Sequence, residues 1–155
     1  MPFVLGERSR ARLEGVHAHL VAVVERAAEL SEVDFTVQEG LRSLETQQEY
    51  VRRKVSKTLK SKHLVQADGF GHAVDLVPWI AGQPRWEWGP IYDIAAAVRL
   101  AAIERGLAMT WGAVWDRRIA DLPDGPDELK AAVKAYCDRH PGPDFLDGPH
   151  FELAA

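Results

Sequence analysis

The chain has 155 residues and a net charge of −4, and 46% of its residues are hydrophobic while 27% are charged. These values are typical of one soluble globular domain spanning residues 1–155, and the mildly negative charge argues against a nucleic-acid-binding protein. The single cysteine, Cys137, excludes an internal disulfide and a zinc site with several cysteines. A metal site in this chain would therefore need histidine and carboxylate ligands.

The N-terminal sequence "MPFVLGERSRARLEG" has no basic segment followed by an apolar one, so it does not predict a Sec signal peptide. No apolar run approaches the roughly 18 residues that a membrane span needs. We therefore expect a cytosolic chain that does not insert into a membrane.

The N-terminal half predicts two helices around a strand, followed by a loop. Apolar residues at three- and four-residue steps predict an amphipathic helix with Ser9 as its N-cap, and an alternating segment with β-branched residues predicts a strand. Gly40 and Ser43 then lead into a second helix. The predicted helix, strand, helix and loop cover residues 9–30, 33–38, 44–54 and 55–72, respectively.

The C-terminal half predicts three short strands and two helices. In chain order these are a strand at 72–78, a helix at 91–102, a strand at 107–112, a helix at 127–137 and a strand at 150–153. We expect Pro78 to close the strand at 72–78 and Gly106 to end the helix at 91–102. Asp127 should lie near the cap of the helix at 127–137. Because helices and strands do not alternate strictly, the pattern favours an α+β fold with helices packed on a small antiparallel sheet.

The stretch "SKHLVQADGFGHAVDLVP", residues 61–78, concentrates histidines and aspartates. Alternate side chains of a strand point to opposite faces, so His72 and Asp75 are poor candidates for binding one metal ion together. His63, in the preceding loop, is free to fold back towards Asp75, and His150 begins the last predicted strand. Two imidazoles and one carboxylate would leave a fourth tetrahedral position for water, which is the arrangement of a catalytic zinc site.

The order of these residues resembles that of the zinc L-alanyl-D-glutamate peptidases of phage endolysins. Those enzymes belong to the VanY-type peptidases, which include D,D-carboxypeptidases and are related in fold to the Hedgehog signalling domain. The pattern of that group is S-x-H, then G-x-A-x-D, then a distant D-x-x-H or E-x-x-H. It falls here on Ser61, His63, Gly71, Ala73, Asp75, Asp147 and His150. The resemblance also includes "VQEGLRSLETQQ", spans nearly the whole chain, and implies a Hedgehog/D-Ala-D-Ala peptidase-like fold.

The resemblance implies that His63, Asp75 and His150 bind Zn2+. The spacer between His63 and Asp75 is longer here than is usual in the group, so His72 stays open as a substitute ligand for His63. The segment between "WG" and "DGPHFEL", residues 113–146, is also long, and it is compatible with a lid or with a surface that faces the cell wall.

Two catalytic roles follow from the resemblance. Asp147 would be the acid/base that takes a proton from water and delivers it to the leaving amine, with Glu152 as the rival base. Arg42 would hold the developing oxyanion or a substrate carboxylate. Ser61 and Gln47 would bind and orient substrate.

The implied function is that of a zinc-dependent peptidoglycan endopeptidase, a phage or prophage endolysin that cuts stem peptides between L-Ala and D-Glu. We expect a monomer made in the host cytoplasm that reaches the periplasm and cell wall through a holin-type pore. The basic segment at 50–66 would attract the carboxylates of stem peptides. Two alternatives stay open: a D,D-carboxypeptidase that removes the terminal D-Ala, against which "DGPHFEL" argues, and a non-catalytic zinc module that binds the cell wall.

Overall fold

The computed structural model describes residues 5–54, 61–142 and 146–154. Within these ranges it contains five α-helices, one short 3-10 helix and five strands, which confirms the predicted α+β class. In chain order they are α1 (Glu7–Arg12), α2 (Ala18–Leu30), β1 (Phe35–Glu39), α3 (Leu44–Arg52), β2 (Ala73–Ile80), β3 (Gln83–Pro84), α4 (Trp88–Arg105), β4 (Met109–Trp111), the 3-10 helix (Ile119–Asp121), α5 (Pro126–Arg139) and β5 (His150–Leu153).

The sheet is antiparallel, with the strand order β1-β2-β5-β4, and β3 forms a hairpin with β2. Its register places Asp75 between two residues of neighbouring strands, because Asp75 pairs with Glu39 of β1 and with His150 of β5. Directly opposed side chains in a sheet lie close together, so the register alone gathers these polar residues at one point.

The hydrophobic core lies on one face of this sheet, under α2 and α4. Val74 and Leu76 of β2 point into it and are almost completely buried. Burying side chains of this size contributes about 1.5–3 kcal/mol each, so the core fixes which way β2 faces. Asp75, which lies between them in sequence, is thereby directed to the opposite face.

The single helix predicted over residues 9–30 is wrong, because the chain leaves the helix at Leu13 and re-enters it at Ala18. The cause is a contact with a distant segment. The N–H of Gly71 donates to the carbonyl of Gly15 (2.8 Å), and the N–H of His17 donates to the carbonyl of Gly71 (2.9 Å). These bonds hold the linker beside the loop that precedes β2.

Ser9 does not cap a helix, contrary to the prediction. It lies inside α1, where its hydroxyl accepts a hydrogen bond from the Val37 N–H of the edge strand β1 (3.0 Å). Arg12 of the same helix donates to the Val37 carbonyl (3.0 Å). Helix α1 therefore pairs with the backbone N–H and carbonyl of Val37 on the free edge of the sheet, which would otherwise lack partners.

The prediction that Pro78 closes β2 is also wrong, since the strand continues to Ile80. The Pro78 carbonyl accepts from the Arg85 N–H (2.8 Å), so the missing proline N–H does not interrupt the pairing there. Residues Ala81 and Gly82, with φ of 54° and 77°, then form a tight turn into β3 that the sequence analysis did not predict.

The other elements lie close to where they were predicted. Gly106 ends α4 with φ of 66°, and Ser43 caps α3 by accepting from the Thr46 N–H (3.1 Å). Of the predicted loop at 55–72, residues 55–60 lie outside the described part of the chain, and the rest forms turns. None of the helices in the described ranges has both the length and the apolar character that a bilayer crossing requires.

Candidate metal centre and active site

Three side chains from separate segments converge beside the middle of the sheet: His63 from the loop before β2, Asp75 from β2 and His150 from β5. Oδ1 of Asp75 lies 3.1 Å from Nδ1 of His150 and 3.3 Å from Nε2 of His63. One potential ligand atom of each residue lies within 4.8 Å of the other two. The structure thus brings together the three residues expected from the sequence to bind a metal ion.

His63 is oriented by the backbone around it. Its Nδ1–H donates to the Gly40 carbonyl (2.8 Å), and its own carbonyl accepts from the Arg42 N–H (2.8 Å). With the proton on Nδ1, Nε2 presents a lone pair towards Asp75 and His150. The side chain is only 2% exposed, and no described residue forms a hydrogen bond with Nε2.

The buried lone pair on Nε2 of His63 indicates that the site suits a cation. An unsatisfied buried nitrogen costs about 1–3 kcal/mol, and a metal ion bound by Nε2 would remove this cost. Two imidazole nitrogens and a carboxylate oxygen are ligands that zinc accepts. The three side chains therefore fit a bound metal ion.

His150 is held from its far side by an ion-pair chain. While Nδ1 faces Asp75, Nε2–H donates to Oε1 of Glu152 (2.8 Å), and Oε2 of Glu152 lies 3.2 Å from Nζ of Lys62. A carboxylate on the second nitrogen of a ligand histidine fixes the ring and its tautomer. Glu152, which was the rival candidate for the base, therefore contacts the nitrogen of His150 that faces away from Asp75.

The protonation states follow from these contacts. Burial alone would raise the pKa of Asp75, but the hydrogen bond with His150 and the nearby ring of His63 hold it well below its usual range. Burial would lower the pKa of His150, but Asp75 and Glu152 together raise it to about 9. A proton and a metal ion would compete for the same Nδ1 lone pair, so metal binding here releases a proton.

Asp147 lies in the turn that leads into His150. Its N–H donates to the Gly112 carbonyl (2.8 Å), and its carbonyl accepts from the His150 N–H (3.0 Å). Burial raises the pKa of the Asp147 carboxyl, and the negative charge of Asp75 raises it further. A carboxyl with a raised pKa beside the metal ligands is suited to accept and return a proton.

The dipeptide Trp111–Gly112 fixes this turn. Nε1–H of Trp111 donates to the Gly148 carbonyl (2.7 Å), and the Gly112 N–H donates to the His150 carbonyl (2.8 Å). A Cβ atom at position 112 would lie 2.2 Å from the Asp147 carbonyl oxygen, so only glycine allows the two backbones to approach. The dipeptide Trp111–Gly112 therefore positions both Asp147 and His150.

Arg42 is held in a mostly buried network, and its side chain is 9% exposed. Glu39 accepts from two of its nitrogens, with Nη2–Oε2 at 2.7 Å, and the Gln47 side chain accepts from Nη1. The guanidinium carbon also lies 4.7 Å from the ring centroid of Tyr50, and Ser61 Oγ lies 3.5 Å from Nη1. The cation is thereby fixed in orientation next to Asp75, the strand partner of Glu39.

The two expected substrate-binding residues have different environments. Gln47 is completely buried, and its side-chain carbonyl oxygen accepts a hydrogen bond from Arg42. Ser61 is partly exposed, and its hydroxyl also accepts from the His63 N–H (3.1 Å). Ser61 thus links the loop of the metal ligand to the arginine.

His72, the alternative ligand, lies apart from the convergence point. Its Nε2 is 2.7 Å from Oδ2 of Asp68, and its ring packs edge-on against His17 with centroids 5.4 Å apart. The lengthened spacer folds into a compact turn, in which the Gln66 N–H donates to the Phe70 carbonyl (2.9 Å) and the His72 N–H to the Lys62 carbonyl (2.7 Å). The extra residues are therefore absorbed before β2 begins.

Comparisons with known proteins agree with this geometry. A family model described as phage L-alanyl-D-glutamate peptidase matches residues 1–154. The L-alanyl-D-glutamate peptidase of Escherichia phage T5 is 29% identical over 157 residues, which cover 99% of each chain. The crystal structure of the Serratia marcescens L-Ala D-Glu endopeptidase ChiX is similar with a TM-score of 0.71 and 38% identity, over 99% of this chain and 90% of that one.

Proposed function

This chain belongs to the phage L-alanyl-D-glutamate peptidase family, and from that premise we propose a zinc-dependent mechanism in which each residue of the metal centre has a defined role. The protein is a peptidase that acts on bacterial peptidoglycan. The bond that it cuts joins L-Ala to D-Glu in the stem peptide.

The observation that carries the proposal is the buried, unpaired Nε2 of His63, directed at the same point as Asp75 and His150. Zinc bound by these three side chains would lower the pKa of a coordinated water to about 7 and polarise the scissile carbonyl. Three protein ligands on a tetrahedral ion would leave a fourth position for water or substrate, which distinguishes a catalytic from a structural site.

Asp147 is the proton carrier of the reaction. In its ionised form it takes the proton of the attacking water, and it then delivers that proton to the nitrogen of D-Glu as the peptide bond breaks. Burial and the charge of Asp75 bring its pKa closer to neutral pH, so both transfers become easier.

Arg42 supplies the fixed positive charge for a substrate carboxylate or for the developing oxyanion. Because Glu39, Gln47 and Tyr50 hold the guanidinium in place, little reorganisation is needed when the negative charge forms. Gln47 acts through Arg42, and Ser61, which lies between Arg42 and the His63 loop, contacts the substrate.

We place the protein in the host cytoplasm after synthesis and in the periplasm during lysis, with a holin-type pore as its route to the cell wall. It acts as a monomer on one stem peptide at a time. The phage origin implied by the family description supports this order of events.

The test is digestion of purified peptidoglycan by protein that has been stripped of metal and then reconstituted with zinc. New N-terminal D-Glu that appears only with zinc supports the proposal. Released D-Ala would instead indicate a D,D-carboxypeptidase, and binding to the wall without new termini would indicate a non-catalytic module. Full cleavage by the stripped protein in the presence of a chelator would refute the role of the metal.

A further inference from the structure

A second open region lies at the far end of β2 from the metal centre. A cavity of about 580 Å³ is present there between α1, β1 and the β2–β3 hairpin. Its lining includes the indole of Trp79 together with Arg8, Arg12, Asp34 and Gln38. The region therefore combines one large flat apolar surface with hydrogen-bond donors and acceptors, which is typical of a ligand site rather than of a core defect.

Trp79 lies on the same face of the sheet as Asp75. The two residues are four positions apart in β2, so their side chains point the same way, and their Cα atoms are about 13 Å apart at the usual rise of a strand. Trp79 is 40% exposed, although an indole of this size is normally well buried. An exposed indole thus lies on the same face of the sheet as Asp75.

A second cavity adjoins the Trp79 cavity on the side of Arg42. A neighbouring cavity of about 480 Å³ shares Arg12 and Gln38 with the Trp79 cavity and is also lined by Glu39 and Tyr50. Glu39 and Tyr50 are the residues that hold Arg42. The two cavities therefore lie side by side, one next to the residues that hold Arg42 and the other at Trp79.

We propose that the Trp79 cavity binds the sugar part of peptidoglycan, the N-acetylated disaccharide that carries the stem peptide. This inference rests on the proposed function, since it assigns the other end of the same substrate. An indole face packs against the C–H face of a pyranose ring, while Asp34, Gln38 and Arg8 are placed to bond hydroxyl and acetamido groups at its rim.

The length of the substrate agrees with this placement. In peptidoglycan, L-Ala is amide-linked to the lactyl group of a muramyl sugar, so two residue-like units separate the scissile carbonyl from the ring. Two extended units span about 7 Å. The first ring therefore begins about 7 Å from the reaction centre, and the disaccharide continues over the distance at which Trp79 lies.

The experiment compares two soluble substrates of the zinc-loaded enzyme: the disaccharide-linked stem peptide, and the same peptide with N-acetyl-L-Ala in place of the sugar. The measured quantity is the ratio of their kcat/KM values for wild type, Trp79→Ala, Trp79→Phe and Trp86→Ala. Trp86 is the matched control, because it is 58% exposed and is not part of the cavity lining.

We expect the wild type to prefer the disaccharide peptide and Trp79→Ala to reduce that ratio by about tenfold, the equivalent of about 1.4 kcal/mol, mainly through KM. Trp79→Phe should retain part of the preference, and Trp86→Ala all of it. An unchanged ratio in Trp79→Ala would overturn the subsite while the peptidase remains. A wild-type enzyme that cleaves neither substrate would overturn the proposed function itself.

Discussion

Two groups of histidine and aspartate side chains lie on either side of the loop before β2, and they differ in what surrounds them. The metal centre consists of His63, Asp75 and His150, whereas the surface cluster consists of His17, Asp68 and His72. Both have a close contact between histidine and aspartate, 3.1 Å in the first and 2.7 Å in the second.

The difference lies in the atoms that remain unpaired. In the surface cluster the Asp68 side chain is 40% exposed and also accepts from the Phe70 N–H (3.0 Å), and Nδ1 of His17 is occupied by the His19 N–H (3.1 Å). In the metal centre a buried lone pair of His63 has no described partner. Residue type alone does not make a metal site; buried, converging lone pairs do.

The largest expected effect comes from replacing one histidine in each group. His63→Ala removes a ligand, so the purified protein should retain almost no zinc and no measurable peptidase activity. His72→Ala should retain one zinc per chain, because its ring contacts Asp68 and His17 rather than the metal centre. Metal analysis by mass spectrometry together with peptidoglycan digestion measures both, and zinc loss in His72→Ala alone would reverse the comparison.

Replacing Asp147 should separate metal binding from catalysis. Asp147→Asn keeps the shape of the side chain but cannot carry the proton, so activity should fall about 10²–10⁴-fold while zinc content stays at the wild-type value. Rates of D-Glu N-terminus formation under saturating zinc measure the effect. A variant that digests peptidoglycan at the wild-type rate would remove Asp147 from the mechanism.

The carboxylates next to the two histidine groups provide a third test. Glu152→Gln weakens the support of the His150 ring, so zinc affinity should fall about 10–100-fold, as measured by competition with a chromophoric chelator. The matched change in the surface cluster, Asp68→Asn, should leave zinc affinity unchanged. Equal affinities for both variants would mean that Glu152 does not act through His150.

The smallest effect concerns stability at low pH. The hydrogen bond from His72 lowers the pKa of Asp68 below its usual value of 3.8. Because this folded-state pKa is depressed, its contribution to stability is present above about pH 4, the pKa of an unfolded aspartate, and is lost as the pH falls below it. The difference in Tm between wild type and Asp68→Asn should therefore shrink between pH 5 and pH 3, and a constant difference would contradict this account.

The sequence predicted which side chains converge at the metal centre better than it predicted the residues that hold those side chains in place. Strand alternation separated His72 from Asp75, which depends on local periodicity, whereas the set of His63, Asp75 and His150 was implied by the family resemblance. The roles of Glu39 and Gly40 depend on strand register and on a bulge in β1, for which the sequence carried no local signal. Strand alternation predicted that Glu152 lies on the same face as His150. It did not predict that Glu152 contacts Nε2 of the His150 ring.

The errors in the fold have a similar origin. The first helix has an uninterrupted apolar period, yet it breaks because the linker pairs with Gly71, more than fifty residues away. The hairpin after Pro78 was missed because Ala81 and Gly82 are not a common pair in tight turns, although both adopt positive φ. At the break between α1 and α2 and at the β2–β3 hairpin, long-range backbone contacts override the local conformational preference of the sequence.

The contact between Gly112 and the Asp147 carbonyl has a consequence for engineering lytic enzymes from this scaffold. Since backbone meets backbone there, no rotamer change can relieve an added methyl group, and the penalty does not scale with side-chain size. In a saturation-mutagenesis experiment every substitution at position 112 should abolish lytic activity, and alanine should be tolerated no better than tryptophan. Diversification libraries are therefore better directed to the exposed residues that line the Trp79 cavity.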